Sequence, residues 1–185
     1  LTPQPTPLAR TWFARDALVV AADLLGKLLV VERAGELVAG RIIETEAYTS
    51  DDPASHTFRG PTPRNQVMFG AAGHLYVYLS YGMHRCANVV TGPEGDGQAV
   101  LLRAIEPVDG VEVMRRRRGR QPLADGPGKL CQAFGIELGD NGVDLLGSEV
   151  IGIVDDGTPA PTDPIAGPRI GVTRAIDRPW RFRMR

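Results

Sequence analysis

Two periods of hydrophobicity alternate along the chain, and together they map most of its elements. From Asp16 the apolar positions Leu18, Val19, Ala22 and Leu25 fall on one helical stripe, which Gly26 ends. Leu28–Arg33 reads as a strand, Ala34-Gly35-Glu36 as a turn, and residues 37–48 as a second strand pairing with the first. Residues 49–73 are punctuated by Asp51-Asp52-Pro53, Gly60-Pro61-Thr62-Pro63 and Gly70-Ala71-Ala72-Gly73. A loop of that length in a compact domain usually has a function. Residues 75–81 are strongly β, Gly82 interrupts them, and a partner strand runs through Val89-Val90. Residues 99–104 form another buried strand. Helices are expected over 108–118 and 129–134, and late strands over 150–154, 169–172 and 181–184. Most strands neighbour one another in sequence. The predicted fold is therefore α+β, with a curved, mainly antiparallel sheet flanked by helices and a protruding β-hairpin. One domain is expected over residues 8–185, preceded by a flexible, proline-rich arm over 1–7.

The chemistry stands out against this pattern at residues 40–48, Gly-Arg-Ile-Ile-Glu-Thr-Glu-Ala-Tyr. On a strand, every second side chain points the same way. Glu44, Glu46 and Tyr48 then share one face, and Ile43, Thr45 and Ala47 the other. Two acids and an aromatic suit a site better than a core. A carboxylate can activate water, and an aromatic plane can hold a flat ligand. The same alternation puts Tyr76 and Tyr78 together, with Val77, Leu79 and Tyr81 opposite, and Gly82 sets Tyr81 at a hairpin tip. Taken singly, these tyrosines need mean no more than strand preference. His56 lies in the long loop, and His74 and His84 complete a set without zinc-ligand spacing, so no metal is expected.

Composition changes the picture only locally. The chain has 185 residues, 43% hydrophobic and 23% charged, with a formal net charge of −1. That is ordinary for a globular protein and does not announce nucleic acid. Between His56 and Arg120, however, nine arginines face five acids. Arg59, Arg64, Arg115 and Arg116 are candidate contacts to a phosphate backbone. The run from Arg115 to Arg118 equally suits a solvated helix end, where cations complement the dipole. Gly126-Pro127-Gly128-Lys129-Leu130 fails the phosphate-loop pattern, because Leu123 stands at the first glycine position and Leu130 at the hydroxyl position. Cys86 and Cys131 form neither a disulfide framework nor a zinc quartet and read as reduced and buried. Neither a leader pattern nor an apolar run of membrane-spanning length is legible, so an intracellular protein is expected.

Read together, the motifs Leu24-Leu25-Gly26-Lys27, residues 40–48, Thr62-Pro63-Arg64-Asn65, residues 75–83, Cys86-Ala87-Asn88, Gly95-Asp96-Gly97, residues 100–107, 128–133 and 169–172 run in one order along nearly the whole chain. The combination resembles the alkyladenine (3-methyladenine) DNA glycosylase family shared by bacteria and animals. The resemblance implies a monofunctional enzyme of base excision repair. Such an enzyme flips alkylated or deaminated purines, such as 3-methyladenine or hypoxanthine, out of duplex DNA. It then hydrolyses the N-glycosidic bond with an activated water and leaves an abasic site. By the same resemblance, Glu46 matches the general base. Arg103 and the Ile170 backbone carbonyl match partners of the attacking water. Tyr48, His56 and Tyr78 match the walls around the base, and Asn88 matches the side chain that rejects guanine. Tyr81, with Met83 beside it, matches the wedge that fills the vacated stack. The implied partner is double-stranded DNA carrying damaged purines. No cofactor is implied, nor a membrane, and the protein is expected to be a monomer of the bacterial cytoplasm working at the nucleoid. His84-Arg85 departs from the more apolar character expected there, and the chain ends at Arg185, where relatives usually continue for a short tail. Two other classes are a damage-binding protein without catalysis and an RNA-binding or small-molecule module. The first has no use for Glu46 with Arg103, the second none for Tyr81 at a hairpin tip.

Overall fold

Residues 5–185 are described by a computed structural model of the chain. Its elements are β1 (Thr6–Pro7), α1 (Arg10–Phe13), α2 (Ala17–Asp23), β2 (Leu28–Arg33), β3 (Glu36–Tyr48), β4 (Leu75–Ser80), β5 (His84–Thr91), β6 (Gln98–Asp109), α3 (Val111–Arg118), α4 (Pro127–Phe134), β7 (Ile151–Asp155), β8 (Ile165–Gly167) and β9 (Arg181–Arg183). The strands form an antiparallel, curled sheet in the order β1-β7-β2-β3-β6-β5-β4. With the helices packed on it, this is the α+β architecture that the pattern predicts.

The thirteen-residue β3 is the spine. One side pairs with β6 from Ala39 to Tyr48. On the other side, residues 36–41 pair with β2 and residues 44–46 pair with β9, which β8 extends. The acidic stretch thus lies inside the sheet, with a strand on each side. Alternation along β3 is not continuous. The register against β6 shifts around Glu44, a bulge that resets which residues face inward. Val38, Gly40 and Ile42 face the core before it, and Thr45 and Ala47 after it, all buried. Ile43 is therefore not level with Thr45 as simple alternation expects; it is partly exposed. Gly40 is required by contact: a Cβ there would lie 2.3 Å from Ile105 Cγ2 and 2.8 Å from the Glu106 carbonyl oxygen.

α2 is started by Asp16, whose side chain accepts from the Leu18 N–H, and it buries Ala17, Val20 and Ala21. The Thr45 hydroxyl donates to the Ala21 carbonyl at 2.7 Å, which fastens the inner face of β3 to this helix. α4 has Pro127 in its first turn and closes on Gly135 at φ +69°. Phe13, Leu24, Leu29, Ile42, Leu102, Met114, Leu130 and Phe134 meet in one core. Among the described residues no helix is long and apolar enough to cross a membrane.

Four details differ from the pattern. Residues 169–172 form no strand; the segment is irregular, with Gly171 at φ +78°. The helix expected over 108–118 begins only at Val111, because β6 runs on to Asp109 and Gly110 breaks it at φ +67°. A Cβ on Gly110 would lie 2.2 Å from the Leu37 carbonyl oxygen, so the chain must turn there. α1 and β8 are too short to leave a periodic signal. Of the expected arm over 1–7, residues 1–4 lie outside the described residues. Thr6 and Pro7 are tied along β7 opposite Asp155 and Val154, an edge position that tolerates proline.

Candidate active site

Strands β3, β6, β5 and β4 are consecutive in the sheet, and one face of them floors a cleft of about 870 Å3. Tyr48 enters it from β3, Arg103 from β6, Cys86 and Asn88 from β5, and Tyr78 from β4. The long loop supplies His56 and Arg64 from one side, and the segment after β8 supplies Ile170 and Arg174 from another.

Glu46 lies beneath this floor with no exposed surface. A carboxylate there is costly unless it is well supplied with donors. The Tyr48 hydroxyl donates to its Oε2 at 2.8 Å, and the Ile170 N–H donates to its Oε1 at 2.8 Å. Arg103 Nη1 stands 3.3 Å from that same Oε1. Arg103 is in turn held by Glu44, whose Oε1 accepts from Arg103 Nε and from Arg181 Nη1, each at 3.1 Å. Glu44, Glu46 and Tyr48 therefore do lie on one face: the Arg103 guanidinium joins the two carboxylates, and the Tyr48 hydroxyl bonds Glu46. A carboxylate offers about four lone-pair sites; Glu46 accepts two hydrogen bonds and meets Arg103 as an ion pair, so at least one site remains.

The aromatic part is equally interlocked. His56 meets Tyr78 edge-on at 4.5 Å between centroids, and Tyr78 stacks on Tyr76 at 5.4 Å. His56 Nδ1 lies 2.9 Å from the Tyr76 hydroxyl, and Arg64 sits 5.5 Å over the Tyr78 ring. Burial, then the charge of Glu46, pushes the Tyr48 phenol well above its ordinary value and keeps it a donor. Burial likewise raises Tyr76, Tyr78 and the Cys86 thiol. His56 moves the other way, lowered by burial and then by Arg64, which favours the neutral ring. Asn88 donates through Nδ2 to the Tyr76 carbonyl at 3.1 Å, leaving its amide oxygen unclaimed by that contact.

Tyr81 and Met83 sit at the tip of the β4–β5 hairpin, 81% and 72% exposed. Tyr81 and Gly82 both have positive φ, +50° and +69°, and the Met83 N–H donates to the Ser80 carbonyl at 3.1 Å. This is a type I′ turn with tyrosine where glycine or asparagine is usual, a local cost of roughly 1 kcal/mol. The strain holds an aromatic ring out in solvent beside the cleft.

The candidate backbone contacts separate. Arg64 lines the cleft, and Arg59 is exposed on the loop beside it. Arg115 and Arg116 are not on the cleft: Arg115 pairs with Glu112 and Arg116 with Glu36. The cleft wall instead carries Arg118, Arg120, Lys129 and Arg174. Helical phase decides this, because Arg118 turns toward α4 and bonds Gln132 and the Pro122 carbonyl. The Gly-Pro-Gly-Lys run is the start of α4. Gly128 lets His84 approach, since a Cβ there would lie 3.0 Å from the His84 Cβ. The sequence pattern puts Tyr76 on one face with Tyr78 but assigned it no part in the site, where it stacks on Tyr78 and bonds His56. It also missed Asp52 and Arg169, a pair 117 residues apart for which no local signal exists.

The family model of methylpurine-DNA glycosylase matches residues 11–185. Three relatives carry the name "Putative 3-methyladenine DNA glycosylase". That of Carboxydothermus hydrogenoformans is 48% identical over 95% of this chain and 93% of its own length. That of Burkholderia lata is 51% identical over 95% and 86%. That of Methanoculleus marisnigri is 49% identical over 95% and 93%. With a match that runs from α1 to the end of the chain and takes in every strand that floors the cleft, this chain belongs to the methylpurine-DNA glycosylase family.

Proposed function

We propose that the chain, a DNA glycosylase and N-glycosidic hydrolase by family, extrudes a damaged purine from duplex DNA into this cleft and detaches it with a water activated by Glu46. The observation that carries the reading is the state of Glu46: fully buried, held by Tyr48, Ile170 and Arg103, and directly below an aromatic cleft. A core does not gain from such a group, because a buried ion must be compensated at every oxygen.

Extrusion costs a few kcal/mol and least for damaged or mispaired bases. Stacking on aromatic rings, about 1–3 kcal/mol per base, offsets it. Tyr48, His56 and Tyr78 provide those rings, Tyr81 with Met83 fills the vacated stack, and Asn88 offers an amide against a purine edge. Arg64, Arg120, Arg174 and Lys129 face the phosphates. Glu46 then takes a proton from water as that water attacks the sugar carbon, and its charge opposes the oxocarbenium-like state. Arg103 holds the carboxylate in place and balances its burial. A binder without catalysis would have no use for this buried pair.

The reaction needs no amine nucleophile, and neither lysine is free to serve as one. Lys27 Nζ is 2.8 Å from Asp155, and Lys129 Nζ is 2.7 Å from Asp125. The test uses duplexes carrying methylated purines or hypoxanthine. Free purine and an alkali-labile abasic site are expected, with no covalent adduct after borohydride. Failure to release base from either duplex sinks the reading, and a trapped adduct replaces the water with an amine.

A further inference from the structure

Arg169 and Asp52 form an ion pair in which neither side chain has any exposed surface. Burying two ions costs much of what their attraction returns, so such a pair is a weak reason for stability. Its position offers another reason. Arg169 Nη1 also donates to the Ala47 carbonyl at 3.0 Å, at the end of β3, and Nη2 donates to Asp52 Oδ1 at 3.0 Å. The guanidinium lies 4.6 Å over the Tyr48 ring and 5.2 Å from Trp180. Asp52 accepts from the Ala54 N–H at 3.1 Å, and the Ser55 N–H bonds the Asp52 carbonyl at 2.8 Å, in the turn that leads to His56. Arg169 is also the residue before Ile170, whose N–H reaches Glu46.

One guanidinium thus touches the end of β3, one face of the Tyr48 ring and the turn before His56, and it anchors the peptide that meets Glu46. These pieces come from three separate parts of the chain. We infer that Arg169, with Asp52 as its counter-ion, is a positioning residue for base excision: it fixes the plane of Tyr48 and the reach of the Ile170 peptide toward Glu46. This rests on the excision reading above. A planar fork suits the task because it bonds two acceptors while stacking on a ring; an ammonium cannot do all three.

The test is single-turnover release of hypoxanthine by the wild type, Arg169→Lys, and the double variant Arg169→Met with Asp52→Asn. Arg169→Lys keeps the charge and loses the fork. The double variant removes both charges, so no lone ion stays buried if the single variant folds poorly. Misplacement of reacting groups by about 1 Å costs on the order of 100-fold, so each variant should release base about 10–100-fold more slowly per folded molecule. Affinity for a duplex carrying an abasic-site analogue should stay within about threefold, because the phosphate contacts are untouched. A role in stability alone would lower the melting temperature and the active fraction and leave that rate constant intact. Wild-type rates in both variants would overturn the inference while the excision reading stood. No release by the wild type would overturn both.

Discussion

Glu46→Gln is the most direct probe of the site, because the structure says what the substitution leaves alone. The side chain keeps its shape. The amide oxygen can keep the Ile170 N–H at 2.8 Å and face Arg103 at 3.3 Å, and the amide nitrogen can donate to the Tyr48 oxygen if the phenol turns to accept. Arg103 retains Glu44 through Nε at 3.1 Å. The Tyr48 O–H then gives up the acceptor it has in Glu46, so the loss is that donor's partner together with the charge assistance of the remaining bonds, about 1–2 kcal/mol of stability. In a chain of this size that lowers the melting temperature by roughly 2–8 °C. The chemical loss is larger. A general base is worth about 100–10,000-fold, or about 2.7–5.4 kcal/mol at 1.36 kcal/mol per decade. The assay is hypoxanthine release with enzyme in excess over duplex, so that product release does not limit the rate, beside a binding titration on the same duplex. A fall of at least about 100-fold with near wild-type binding is expected. A folded variant that loses less than about tenfold would place the proton acceptor elsewhere.

Tyr81→Ala should leave the melting temperature unchanged, since the ring is 81% exposed, and slow single-turnover release by about 5–150-fold, the equivalent of one lost stacking contact. Gly40→Ala should destabilise the fold by about 3 kcal/mol in thermal melts, because its Cβ would press on Ile105 and on the Glu106 backbone. Alanine at Arg120 or Arg174 should each reduce the slope of log affinity against log salt by about 1, whereas alanine at Arg115 or Arg116 should not; the reverse pattern would move the DNA path off the cleft wall.

The parts legible in sequence are those set by short-range geometry. The grouping of Glu44, Glu46 and Tyr48 follows from a period of two, which holds because the bulge precedes Thr45 and the strand is regular beyond it. The hairpin tip follows from Gly82. The bulge itself was not legible, because the mismatch of β3 with β6 belongs to the pair of strands and not to either one. Residues 169–172 carry strand-like composition, yet the Ile170 N–H goes to a side chain in place of a ladder partner. The basic run from Arg115 to Arg118 looked like one patch. On α3 each residue turns about 100° from the last, so Glu36 takes Arg116 and Arg117 while Arg118 packs toward α4. The roles of Glu46, Arg103 and Ile170 came from family resemblance, since residues 46, 103 and 170 meet only after the sheet has closed.

The titratable groups around the cleft lead to a pH signature that depends on the lesion. Tyr48, Tyr78 and Cys86 are pushed up by burial, so they hold their protons too firmly to give one to a departing base near neutrality. His56 is pushed below its ordinary value by burial and by Arg64, so near neutrality it has no extra proton to give. Among these four groups, then, none is an acid at working pH. A 3-alkylated adenine leaves as a neutral base because it already carries a positive charge. Hypoxanthine is neutral and needs a proton on its ring, and since none of these four groups supplies it we expect it to come from solvent. Its release should fall as pH rises, when that proton becomes scarce. Release of 3-methyladenine should lack that high-pH fall. Single-turnover rates for both lesions across pH, with the same enzyme, separate the two shapes. Superimposable profiles would mean that release of hypoxanthine draws on no proton from solvent over this range, and the reasoning from these four groups would fail.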